Sequence, residues 1–207
     1  MDGNIIGAQY KYIKDNVCQK RFLKNTDRSN SLWMTPIEGS KALFVTEDPL
    51  DAIAHSQLFP GARYAYLCTG GTSTKAQREM IHSFSQKFKL PIILGNDNDL
   101  AGQLENFKLA YHTANIEYAI NSKTQRVLLT VNGAEREWGK DEIVAALQAV
   151  MKQRTNMILS IPWAKDWNDD LRSSKKSISL RIAENMARVQ IETTKSEQRG
   201  MIAGKLP

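Results

Sequence analysis

Three stretches of this 207-residue chain place carboxylates directly after short apolar runs. Glu47 follows Ala42–Thr46 (ALFVT), Asp97 and Asp99 follow Leu90–Leu94, and Asp166, Asp169 and Asp170 follow Asn156–Ile161. Compact apolar runs bounded by turn residues read as buried strands. In open parallel α/β sheets, ligands bind beyond the carboxyl ends of such strands. Neighbouring strands lie ~4.8 Å apart, so acids at adjacent strand ends can converge on one cation. Asp97 and Asp99, two residues apart, point to the same side in extended backbone. Hard oxygen donors with few nitrogen or sulfur ligands nearby select Mg²⁺ or Mn²⁺ over zinc.

The elements that must position these acids follow from pattern. Pro49–Gln57 reads as a helix with Asp48 as N-cap and Pro49 at the first helical position. Tyr64–Cys68 is a second strand, Thr69–Thr74 a Gly/Thr-rich loop, and Lys75–Lys87 a helix burying Met80, Ile81 and Phe84. An acidic loop follows the third strand and leads to a helix over Gln103–Ala114. Strands alternating with helices predict parallel βαβ units, a Rossmann-like sheet with helices on both faces. Asn4–Ile13 and Arg21–Leu23 read as a strand pair ahead of this region. Asn132-Gly133, flanked by Arg126–Val131 and Ala134–Trp138, is a hairpin signal, and Asp141–Lys152 is helical. The stretch Pro162–Asp170 reads as a loop. Ser177–Ile191 shows an amphipathic stripe, Ile178, Ile182, Met186 and Val189, and the chain from Thr193 reads as a frayed basic tail.

Composition narrows the class. No apolar run approaches the ~20 residues that span a bilayer, and Cys18 and Cys68 sit in unrelated contexts. A cytoplasmic protein without a zinc site, disulfide framework or membrane partner is expected. The net charge of +6 is uneven: residues 1–41 carry +3, 42–171 carry −2 and 172–207 carry +5. An acidic centre between basic ends suits a cation site that also holds a polyanion.

The motifs together resemble the Toprim domain, in particular that of bacterial-type primases and primase-like proteins of mobile elements. LFVTEDPLDAI matches its first motif with Glu47 and Asp51; Gly71-Thr72-Ser73-Thr74 matches its helix-opening loop; ILGNDNDLAG supplies Asp97 and Asp99; and PWAKDWNDDL supplies Asp166. Asp2-Gly3-Asn4-Ile5-Ile6-Gly7 is similar to the strand pair that precedes the Toprim core of primases, where Lys11 and Arg21 occupy the phosphate-gripping positions. The resemblance implies three parts: a strand pair over residues 1–41, a Toprim domain over 42–172 with an insertion at about 121–153, and a C-terminal helix and tail over 173–207. Asp48 stands where the family often has Gly, and Asn168 where it has a second late acid. The chain begins inside the primase core, without a cysteine-rich module, so a partner protein supplying the missing parts is expected.

Combined with the chemistry, the resemblance assigns roles. Asp97 and Asp99 hold Mg²⁺ or Mn²⁺, with Asp166 and Asp51 as auxiliary ligands and Glu47 as ligand or general acid/base. Lys11, Arg21 and the loop of Gly71, Thr72 and Ser73 hold phosphate. The implied function is primase-like nucleotidyl transfer, with NTPs and single-stranded DNA or a DNA–RNA hybrid as partners. A Toprim nuclease and a non-catalytic nucleic-acid-binding module are the alternatives. His55, His82 and His112 read as structural residues scattered on helices, and Trp167 as packing the last loop against the core.

Overall fold

A computed structural model describes residues 7–15, 17–154 and 156–174. The expected helix over Ser177–Ile191, the tail after it and residues 1–6 lie outside the described residues. In chain order the elements are β1 (Gln9–Lys14), β2 (Val17–Phe22), β3 (Trp33–Met34), β4 (Ala42–Thr46), α1 (Pro49–Leu58), β5 (Tyr64–Cys68), α2 (Lys75–Phe88), β6 (Ile92–Leu94) and α3 (Leu100–Ala110). They continue with β7 (Ile116–Asn121), β8 (Arg126–Val131), β9 (Ala134–Gly139), α4 (Lys140–Gln153), β10 (Met157–Leu159) and α5 (Trp167–Ser174).

The central sheet runs β10-β6-β4-β5-β3. Its first four strands are parallel, and β3 closes the far edge antiparallel to β5. Every residue of β4 is buried, as a strand covered on both faces requires. The chain leaves β4 toward β5 on one side, then returns past β4 to β6 on the other. Right-handed crossovers in opposite directions put α1 and α2 on opposite faces. Two apolar clusters result. One joins Leu43, Val45 and Leu67 with residues of α2, α3 and α4; the other joins Phe44, Tyr66, Ala52, Ala54 and Trp167 beside α1 and α5. The loops after β4 and β6 therefore depart to opposite faces, which opens a crevice at their carboxyl ends. Helices on both faces of a parallel-containing sheet are the architecture expected from the alternating pattern.

α3 is buried on nearly all sides, including Gln103, Glu105, Asn106 and Lys108. The reason is the second sheet, β7-β8-β9, whose Val127 and Leu129 join the core cluster and close over it with α4. Its β8–β9 turn is the expected Asn132-Gly133 hairpin, with φ of 50° and 85° at the two turn residues and Val131 opposite Ala134. β7 was not expected, so this unit begins at Ile116, ahead of the anticipated boundary near 121. α3 starts three residues earlier and ends four earlier than its apolar pattern implied, because Asp99 caps it. Residues 167–174, read as loop and its sequel, form α5.

The histidine reading needs correction at two positions. His82 and His112 stack face to face with ring centroids 3.4 Å apart, and His112 lies beyond the end of α3. His82 Nε2 meets the Leu109 carbonyl at 2.8 Å, and burial pushes its pKa down to about 4.

Candidate metal centre

The crevice between β4 and β6 is where the acids meet. The Gly95 amide donates to the Val45 carbonyl at 2.8 Å, which holds the chain after β6 against the end of β4. Glu47 and Asp97 thus follow adjacent paired strands. The Asn98 amide donates to the Lys165 carbonyl at 2.7 Å and brings in the loop that carries Asp166. From the other face, α1 presents Asp51, whose Oδ1 accepts the Asn168 side-chain amide at 2.6 Å. Asn168, in the position of an expected acid, orients an acid instead.

The local sequence explains why Asp97 is held firmly. Asp99 caps α3 by accepting the Gly102 amide at 2.9 Å, and Gln103 Nε2 donates to the Asp97 carbonyl at 2.8 Å. A Cβ at position 102 would press into the Asp97 backbone, so only glycine lets α3 back so closely onto the loop. The Gly95 carbonyl accepts the Trp167 indole N–H at 2.7 Å, and Trp167 is 2 % exposed, packed against Phe44 and His55. That contact pins the last loop to the chain just before Asp97, as expected of Trp167. Asp166 Oδ1 accepts the Asp169 amide, and Asp170 takes the amides of Trp163 and Ala164, all at 2.8 Å. Asp169 faces Arg172 and Asp170 shapes the loop, so neither extends the acidic centre.

Electrostatics mark Asp97 as the focus. Burial, then the charges of Asp51, Glu47, Asp99 and Asp166, raise its pKa to about 7. Burial, then Asp166 and Asp48, raise that of Asp51 to about 6. Among the described residues, buried Asp97 Oδ1 has no hydrogen-bond partner. A buried acceptor left unpaired costs about 1–3 kcal/mol. An unpaired carboxylate oxygen among four further acids, all of them hard oxygen donors, fits a divalent cation. The fit is one of chemistry rather than a preformed cage: among the described residues no three His, Cys, Asp or Glu side chains are already gathered around one point.

Cations line the crevice. Lys11 and Lys20 are cross-strand partners in the β1–β2 hairpin. Both reach Asp48, at 2.8 and 3.4 Å, and Lys20 also stands 3.6 Å from Glu47. Asp48 is thus the N-cap of α1 and the anchor of the hairpin. Burial alone would raise its pKa, but the Lys11 bond, the Leu50 amide and the two lysine charges bring it below the ordinary value. Lys20 was missed from sequence; the expected second cation, Arg21, is one residue out of phase, paired with Tyr10 and lying over the Tyr12 ring. The Gly71-Thr72-Ser73 loop opens α2, but its anion is internal. Ser73 gives both its amide and its hydroxyl to Glu105 Oε2, at 2.9 and 2.6 Å, and the Thr72 carbonyl accepts Arg28.

A family model described as Toprim-like matches residues 44–127, from β4 into β8. The match makes this segment, 84 of the 207 residues, similar to a Toprim-like domain. No curated protein and no solved structure matches the chain. The Toprim-like segment holds Glu47, Asp51, Asp97 and Asp99; Lys11, Lys20 and Asp166 reach it from outside. Toprim domains bind Mg²⁺ through acidic residues and act on nucleic acid, which agrees with the all-oxygen character of the centre. No described helix is long and apolar enough to cross a membrane.

Proposed function

We propose that this chain performs Mg²⁺-dependent nucleotidyl transfer of the primase-like kind, as part of a replication or mobile-element protein. The observation that carries the reading is the unpaired Asp97 oxygen among Glu47, Asp51, Asp99 and Asp166, faced by Lys11 and Lys20 on a separate hairpin. Asp97 and Asp99 would hold the ion, with Asp51 and Asp166 behind them. An ion held there would supply positive charge to offset that on a transferring phosphoryl group.

The chain's own residues supply the rest. Lys11 and Lys20 grip the phosphates of an incoming NTP, and Asp48 keeps the two ammonium groups side by side. Glu47, half-buried and beside Lys20, takes the proton from the attacking 3′-hydroxyl. Asn168 steadies Asp51 by donating to its Oδ1. The polyanion bound is single-stranded DNA or a DNA–RNA hybrid.

Purified protein with labelled NTPs, a single-stranded template and Mg²⁺ or Mn²⁺ tests the reading. Incorporation lost in Asp97→Ala and in Glu47→Gln is the expected result. Divalent-dependent cleavage of plasmid DNA without NTPs would replace it with a nuclease. Nucleic-acid affinity indifferent to EDTA, with neither activity, would leave a binding module.

A further inference from the structure

The β7–β9 sheet and α4 do more than cover α3: they deliver a cation to the acidic loop. Lys140 is the first residue of α4, and its ammonium donates to Asn98 Oδ1 at 3.2 Å and to the Asn98 carbonyl at 3.5 Å. Asn98 lies between Asp97 and Asp99, and its amide donates to the Lys165 carbonyl. The Lys165 ammonium stands 4.0 Å from Asp99 Oδ2, and 63 % of its side chain is open to solvent. Two lysines from distant segments are thus tied to the 97–99 loop, Lys140 by its ammonium on Asn98 and Lys165 by its carbonyl on Asn98 and its ammonium near Asp99.

The placement of Lys140 is built rather than incidental. Gly139 caps α4 without a side chain, and its amide donates to Glu142 Oε2 at 2.7 Å. Arg126 on β8 clasps that same oxygen at 3.0 Å, and Arg136 on β9 approaches Glu142 Oε1 at 3.5 Å. The sheet thus fixes where α4 begins. Among the described residues Lys140 has no carboxylate within 4 Å, so the neutral carbonyl oxygens of Asn98 hold it rather than an ion pair. The positive end of the α4 dipole adds to the same spot. Lys11 and Lys20 occupy the other flank, beside Glu47 and Asp48.

We infer that Lys140 and Lys165 form a phosphate-binding subsite on the Asn98 flank of the acidic centre, opposite Lys11 and Lys20. The ligand is a phosphate group of a nucleic-acid backbone or of a nucleoside triphosphate. The inference rests on the proposed reading that this centre handles phosphate-bearing polymers.

The test is binding rather than turnover. A dye-labelled oligothymidylate of about 20 nucleotides is titrated with the full chain at several salt concentrations, and ATP is titrated separately. Each lysine contacting one backbone phosphate contributes about 0.7 to the slope of log K against log salt for a single strand. Lys140→Ala should lower the slope by about 0.7 and the double variant with Lys165→Ala by about 1.4. Lys140→Arg should restore it. Lys152→Ala, at the other end of α4 and roughly 18 Å away by helical rise, should leave it unchanged. An unchanged oligonucleotide slope with weakened ATP binding would assign the phosphate to the nucleotide. Unchanged binding of both in folded variants, with Lys11→Ala and Lys20→Ala still lowering the slope, overturns the subsite and leaves the wider reading standing. A wild-type chain that binds neither probe overturns both.

Discussion

Replacing Asp97 by asparagine should stabilise the metal-free protein while abolishing its response to Mg²⁺. The sign follows from linkage. A carboxyl whose folded pKa is raised from 3.8 to about 7 binds its proton more tightly when folded. Its burden on stability is absent below about pH 4, grows between 4 and 7, and is complete above 7. At 1.36 kcal/mol per pH unit the full cost would be about 4 kcal/mol. Asp97 remains half-open to water, and solvent screening reduces that to about 1–2 kcal/mol. Asparagine keeps the shape and removes the charge. In EDTA at pH 8, Asp97→Asn should therefore melt about 2–8 °C higher than wild type, with the gap closing toward pH 4. Adding Mg²⁺ at pH 8 should raise the wild-type melting temperature in a concentration-dependent way and leave the variant unmoved. The wild-type response should also weaken as pH falls below about 7, because the proton and the ion compete for one oxygen. A variant less stable than wild type at pH 8 in EDTA would refute the reasoning, as would equal stabilisation of both proteins by Mg²⁺.

Two further outcomes test how the centre is supported. Glu105→Ala removes the partner of Lys108, which is 4 % exposed and 2.6 Å from Glu105, and orphans the Ser73 amide and hydroxyl as well. A loss of about 3–5 kcal/mol in urea unfolding is expected, and a loss under about 1 kcal/mol would mean that water reaches Lys108. Gly102→Ala sets a methyl against the Asp97 backbone and should cost about 1–3 kcal/mol. It should weaken Mg²⁺ affinity more than Asp170→Ala, whose carboxylate only shapes the neighbouring loop.

Much of the scaffold was legible because single residues carried strong local signals. Asp48-Pro49 marked the start of α1, Thr74 that of α2, and the all-apolar ALFVT run marked the central strand. What escaped reading depended on pairing that no local pattern encodes. β3 is two residues long and exists only through its antiparallel contact with β5. β7 leaves most of its side chains exposed, so it lacks the alternation that reveals a half-buried strand. α5 is short and polar, held by Trp167 and Asp170 rather than by an apolar stripe. Within the site, Glu47, Asp97, Asp99 and Asp166 could be found because each follows an apolar strand, and Asp51 because it completes the first motif on α1. Lys20 could not, because its alignment with Lys11 depends on hairpin register, and a shift of one residue exchanges it for Arg21. Asp99 and Ser73 show the complementary difficulty: each matches a binding motif, yet Asp99 also caps α3 and Ser73 is committed to Glu105.

The near-complete enclosure of α3 has a dynamic consequence. A helix without a solvent face cannot fray by itself; its amides become accessible only when the surrounding core opens. The Asp97–Asp99 loop is bonded to that helix through Gly102 and Gln103, so its attachment opens with the core rather than ahead of it. Among the described residues the β1–β2 hairpin belongs to no larger sheet, and its two lysines are secured chiefly through Asp48. The Asp97–Asp99 pair is thus tied to the opening of the core, whereas the two lysines depend on a small hairpin and on Asp48.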